Sequence, residues 1–92
     1  MNAHDMLRWF LESRGIKRAE FAHAMGVVPS AVNFWFDGNR PAALVRHKIE
    51  LWTSGIIPAS AWFTEKERKE IARVVPYDAP KRITARERRA AG

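Results

Sequence analysis

Two helical patterns stand three residues apart in the first half of this chain, and that spacing constrains the fold more than any other feature. Phe21, Ala22 and Met25 form the apolar stripe of a short helix from Arg18 to Met25. Gly26 ends it. Pro29 follows in the first turn of the next helix, where its missing N–H has no partner to lose. Val32, Trp35 and Phe36 then fall at i, i+3 and i+4 and define a helix over Pro29–Phe36. So tight a link forces the two helices to cross steeply rather than lie side by side.

The remaining segments read the same way. Met6, Leu7, Phe10 and Leu11 make a first helix, with Asn2 or Asp5 as N-cap, and Gly15 as its stop. Ile16 is expected to tuck back onto it. Asp37-Gly38-Asn39-Arg40-Pro41 is a break. Val45, Ile49 and Trp52, broadened by Leu44 and Leu51, predict a fourth helix over residues 42–53, closed by Ser54-Gly55. Residues 59–63 predict one further turn, with Trp62 and Phe63 packing down. Thr64 and Glu67 form a capping box for a fifth helix that runs to Val75, its apolar face Ile71, Val74 and Val75. Pro76 ends it. No segment alternates with strand period. The expectation is an all-α fold, a compact four- to five-helix domain with a flexible basic C-terminal tail, divided into a main helical domain over 1–63, a C-terminal helix over 64–75, and the tail over 76–92.

Composition narrows the function classes. The chain has 92 residues, enough for one small domain. It has no cysteine, so disulfides and thiolate metal sites are excluded. His4, His23 and His47 are scattered, without the clustering a metal or a general base needs. No nucleophile–base pair and no glycine-rich phosphate loop is present, so neither an enzyme nor a cofactor is expected. No apolar run approaches the ~20 residues of a membrane span, and no signal-peptide core opens the chain. A cytoplasmic protein is the expectation. The net charge of +6 leans toward an anionic partner, most often nucleic acid. Half of that excess lies in residues 76–92, through Lys81, Arg82, Arg86, Arg88 and Arg89 against Asp78 and Glu87.

Phe34, Trp35 and Phe36 are consecutive, and on a helix successive side chains point about 100° apart. They cannot all face one core. Val32, Trp35 and Phe36 share one side of the wheel. Ser30, Asn33, Phe34 and Asp37 share the other. Phe34 is therefore the outward ring, in a row of small polar residues rather than the lysines and glutamates of a merely solvated face. Such a row suits insertion into a groove. Trp9, Trp52 and Trp62 are assigned to the core or to a dimer interface.

Residues 18–38 resemble the helix-turn-helix of the lambda Cro and phage-repressor family. The likeness lies in Ala22, small where the helices cross; Gly26, at the turn; Val27 after it; and Val32 and Trp35, which lock the helices together. GVVPSAVNFWFDGNRP followed by IELWTSG looks like the small Cro-like regulators of phages and prophages. The likeness covers residues 4–63. It departs from the family's pattern at Lys17, Arg18 and Val28, where that pattern has Ser or Thr, Gln, and Ser.

The resemblance implies a double-stranded DNA-binding transcriptional regulator, expected as a repressor, with its recognition helix in the major groove. Pro29, Ser30, Asn33 and Phe34 become the base-facing positions. Asn33 suits an adenine edge, Ser30 almost any edge, and Phe34 a thymine methyl. With no Arg or Lys on this face, the contact zone is expected to favour A·T pairs. Phosphate contacts are assigned to Lys17 and Arg18 at the start of the second helix, and to Asn39, Arg40 and Arg46. Asp37 is expected to pair with Arg40 or cap the turn. Regulators of this type bind as two-fold dimers. Ile57, Trp62, Phe63, Ile71 and Val74 are the proposed dimer interface, because the apolar residues after the fourth helix exceed what one short helix needs. RNA polymerase is a further conceivable partner. The rival reading from another class is a protein-interaction module, an antitoxin or adaptor with Phe34 anchored in a partner's pocket.

Overall fold

The structure, a computed structural model, describes residues 2–78. Within them lie five α-helices and one 3₁₀ turn, and no strand: α1 (Ala3–Ser13), α2 (Arg18–Met25), α3 (Pro29–Phe36), α4 (Ala43–Trp52), the turn Ala59–Trp62 and α5 (Glu65–Ala72). The Lys81-to-Arg89 charges of the expected tail lie outside the described residues.

Each helix starts and stops for a local reason. The Asn2 side chain accepts from the Asp5 N–H at 2.8 Å, so Asn2 is the N-cap of α1. At its far end Gly15 adopts φ 66°, and the Ile16 N–H returns to the Leu11 carbonyl at 2.9 Å. Ile16 packs against the core as a result. Gly26 repeats this device after α2, with φ 72° and the Val27 N–H on the Ala22 carbonyl at 3.0 Å. At the end of α4 the buried Thr53 hydroxyl donates to the Ile49 carbonyl at 2.8 Å and accepts from the Ile57 N–H at 3.1 Å. That hydroxyl stitches the helix to the loop after it and lets Ile57 enter the core.

One core holds α1 to α4 and the 3₁₀ turn together. Leu7, Phe21, Ala22, Val32, Ile49 and Ile57 are completely buried, with Phe10, Leu11, Met25, Trp35 and Trp62 nearly so. Burying one such large apolar side chain stabilises the fold by roughly 1.5–3 kcal/mol. Aromatic rings chain through the centre: Phe10 meets Trp52 at 5.5 Å between centroids, Trp52 meets Phe21 at 5.2 Å, and Phe21 meets Trp35 edge-on at 6.2 Å. Ala22 sits where α2 and α3 pack, with no exposed surface.

Two sequence expectations are corrected here. Ile57 and Trp62, assigned to a dimer interface, are sealed inside the single chain at 0% and 2% exposure, so neither has surface to offer a second copy. Trp62 lies edge-on to the His4 ring at 5.2 Å, and Ile57 is drawn inward by Thr53. The fifth helix ends at Ala72, short of Val75. Pro76 disfavours helical backbone at the residue before it, and Val74 and Val75 are β-branched. No residue of α5 is buried.

Candidate nucleic-acid interface

The outward face of α3 is the natural centre of any site, since its geometry separates two neighbouring rings. Phe34 is 57% exposed, while Trp35 is 5% exposed and Val32 fully buried. Pro29, Ser30 and Asn33 are exposed beside Phe34. Val28, at the N-cap of α3, adds an exposed apolar side chain to the same end. Pro29 is in the first turn, so α3 begins without that backbone donor.

Arg18 is not on a ledge apart from this face. Its Nη1 donates to the Asn33 Oδ1 at 2.8 Å, and its guanidinium lies over the Phe36 ring at 4.3 Å. Arg8 of α1 lies over the same ring at 5.3 Å. Phe36 thus holds two cations, and a shallow groove of about 300 Å³ runs from it past Arg8, Lys17 and Arg18. Arg8 was not singled out from sequence. Its position on the exposed side of α1 carries no signal, and only the tertiary fold brings it over Phe36.

The other cations and Asn39 are tied into the scaffold. Asn39 donates through Nδ2 to the Phe34 carbonyl at 3.0 Å and so satisfies the end of α3; its own carbonyl lies 2.9 Å from His4 Nε2. Arg46 donates through Nε to the Pro41 carbonyl at 2.7 Å. Arg40 pairs with Glu67 of α5, not with Asp37, and also reaches the Trp62 carbonyl at 3.4 Å. The expected Asp37–Arg40 pair is therefore replaced by a long-range one, and Asp37 stands at the C-cap of α3. Lys48, at the other end of the site, donates to the Met25 carbonyl at 3.3 Å and closes the C-terminus of α2.

Helix ends divide into two kinds. Side chains cap α1, through Asn2, and α5, through the reciprocal Thr64–Glu67 box. The N-termini of α2, α3 and α4 have no side-chain cap. Uncapped N-termini present backbone N–H groups and partial positive charge to whatever lies outside. In the capped box, the Thr64 N–H donates to Glu67 at 2.8 Å and holds its carboxyl below the usual carboxylate range, with the Arg40 guanidinium adding to the effect.

Ile71 lies on α5, with Phe63 shortly before the helix and Val74 shortly after it. Phe63 is half-buried, and Ile71 and Val74 are exposed. On α4, Leu44 and Leu51 are exposed as well. Among the described residues no cluster of His, Asp or Glu has the makings of a metal site, and no helix is long and apolar enough to cross a membrane. Comparison with protein-family models, with curated proteins and with solved structures finds no match to the chain.

Proposed function

We propose that the chain is a sequence-specific double-stranded DNA-binding transcriptional regulator, a repressor of Cro-like type, that inserts α3 in the major groove and binds a palindromic operator as a homodimer. The observation that carries this reading is the outward face of α3. An exposed row of Pro29, Ser30, Asn33 and Phe34, free of carboxylates until Asp37, is flanked by Arg8, Lys17 and Arg18. Small polar groups and one ring suit base edges, and cations around them suit phosphates. The uncapped N-terminus of α2, with Lys17 at its N-cap, adds N–H donors for a phosphate. Arg46 bonds Pro41 through one of five guanidinium N–H groups, so the same anchor holds a phosphate donor in place. Asn39 and Arg40 play the lesser part of fixing the loop between α3 and α4.

The dimer rests on Ile71 and Val74 of the α5 segment, which the single chain leaves exposed. Such a protein works in the cytoplasm, on the nucleoid of a bacterium or a phage-infected cell. The competing reading, an adaptor or antitoxin, is favoured by the exposed Phe34 ring, which can equally fill a partner's pocket.

Salt separates the two. Fluorescence anisotropy with a labelled mixed-sequence duplex is the test. With ~6–8 phosphate contacts per dimer, affinity falls about a thousandfold or more between 50 and 200 mM salt. Absence of duplex binding at any salt in this range overturns the DNA reading in favour of a protein partner.

A further inference from the structure

The outward face of α3 contains no cation, so α3 alone lacks the commonest guanine contact and favours A·T pairs. The structure brings a cation there from another helix. We infer that Arg18 and Asn33 act as one reading unit, and that Arg18 recognises a guanine at the base pair next to the one Asn33 contacts. The inference rests on the DNA-binding reading of the same face.

Four observations carry it. First, Arg18 donates to the Asn33 Oδ1 at 2.8 Å. Wherever the Asn33 amide reaches, the guanidinium is one hydrogen bond away, and neighbouring base pairs are about 3.4 Å apart. Second, the chemistry of the pair is complementary. Arg18 has only donors, so the amide oxygen of Asn33 must face it. That oxygen has a second acceptor position, open to an adenine N6–H, while Nδ2 is left to donate to adenine N7. Arg18 gives one of its five N–H groups to Asn33 and keeps enough for a two-pronged contact to guanine O6 and N7. Third, the guanidinium is stacked on the Phe36 ring at 4.3 Å before any ligand arrives. An arginine held by a ring and an amide loses less freedom on binding than a solvated one. Fourth, among the described residues the Arg–carboxylate pairs are Arg40–Glu67 and Arg73–Glu70, and none of them engages Arg18. Arg18 also opens α2, where the helix dipole disfavours a cation, so its placement is not explained by helix stability.

The unit therefore reads a two-base-pair step, adenine beside guanine, rather than an A·T pair alone. The test is selection of bound duplexes from a random pool with the whole chain, as wild type, Arg18→Lys, Arg18→Ala and Asn33→Ala. Wild type is expected to enrich a G·C pair next to an A·T pair. Arg18→Lys keeps the charge and loses the planar fork, so it is expected to lower preference at the G·C pair roughly 5- to 150-fold while leaving the A·T pair preferred. Asn33→Ala is expected to relax both positions, because it removes one reader and the prop of the other. Replacing that guanine by 7-deazaguanine in a selected duplex removes the N7 acceptor and tests wild-type protein directly. Its affinity should fall by about tenfold. A wild type that enriches an A·T-only site, an Arg18→Ala variant that weakens all duplexes alike, or an unchanged affinity for the 7-deaza duplex overturns the inference and makes Arg18 a phosphate ligand. A wild type that binds no duplex overturns the DNA reading itself, and the inference with it.

Discussion

Phe34 and Trp35 are adjacent in the chain, and substituting each is expected to damage a different property. Phe34 is 57% exposed, so Phe34→Ala should leave stability within about 0.5 kcal/mol. It should weaken duplex binding by about 1 kcal/mol through lost apolar contact. Trp35→Ala empties a core position that meets Phe21, at a cost of about 3–5 kcal/mol. That is a large part of the ~5–15 kcal/mol holding a domain of this kind together. Thermal melts and anisotropy on the two variants check both outcomes. The helical period was enough to foresee this division, because 100° per residue must set neighbours on different faces. From sequence Arg18 reads as a phosphate-contacting cation at the start of α2, not as a partner of Asn33. Its hydrogen bond to Asn33 spans 15 positions and its ring contact with Phe36 depends on how α2 packs on α3, which no local pattern encodes. Arg40 shows the same limit. Asp37 is near in sequence, yet Glu67 is the residue that packing delivers.

At the scale of helices, the α2–α3 link is the part most fully legible, since Gly26, Pro29 and Ala22 each have a backbone or packing reason to stand where they do. Gly26→Ala should cost about 1–2 kcal/mol by thermal melt, from the left-handed φ of 72°. Sterics add little, because a Cβ there meets only the end of the Lys48 side chain at 3.8 Å. Ala22→Leu should cost about 1–3 kcal/mol by overpacking the crossing, and should blur sequence preference by shifting Arg18 away from Asn33. The end of α5 was misjudged because apolar spacing continues past Ala72, whereas the Pro76 constraint on the preceding residue cuts the backbone short. Its start was legible as a capping box, and that box carries a pH dependence. The folded chain holds the Glu67 proton less tightly than an ordinary carboxyl of 4.5, chiefly through the Thr64 N–H. Its contribution is complete above the unfolded value and is lost as pH falls through the lower folded value. Melting temperature followed down through pH 4.5 should therefore fall less steeply in Glu67→Gln than in wild type. Equal slopes would show that the box contributes nothing.

The described residues share one core, expose the Ser30–Asn33–Phe34 side of α3, and leave Ile71 and Val74 open at the end of α5. Ile57 and Trp62 belong to the core, so the proposed dimer is placed on Ile71 and Val74, which are exposed. Ile71→Glu together with Val74→Glu should shift sedimentation toward the monomer and weaken binding to a two-half-site duplex, with half-sites about 34 Å apart, more than to a single half-site. A wild type that sediments as a monomer both alone and on DNA contradicts the dimer. In the proposed function the Ser30–Asn33–Phe34 side of α3 rests on base edges while Trp35 stays in protein. Amide and side-chain NMR shifts of the labelled chain, titrated with a selected duplex, test it most directly. The largest changes should fall on Ser30, Asn33, Phe34 and the Arg18 guanidinium, with Val32 and Trp35 little moved. Changes gathered on α4 and α5, with the outward face of α3 silent, would contradict it.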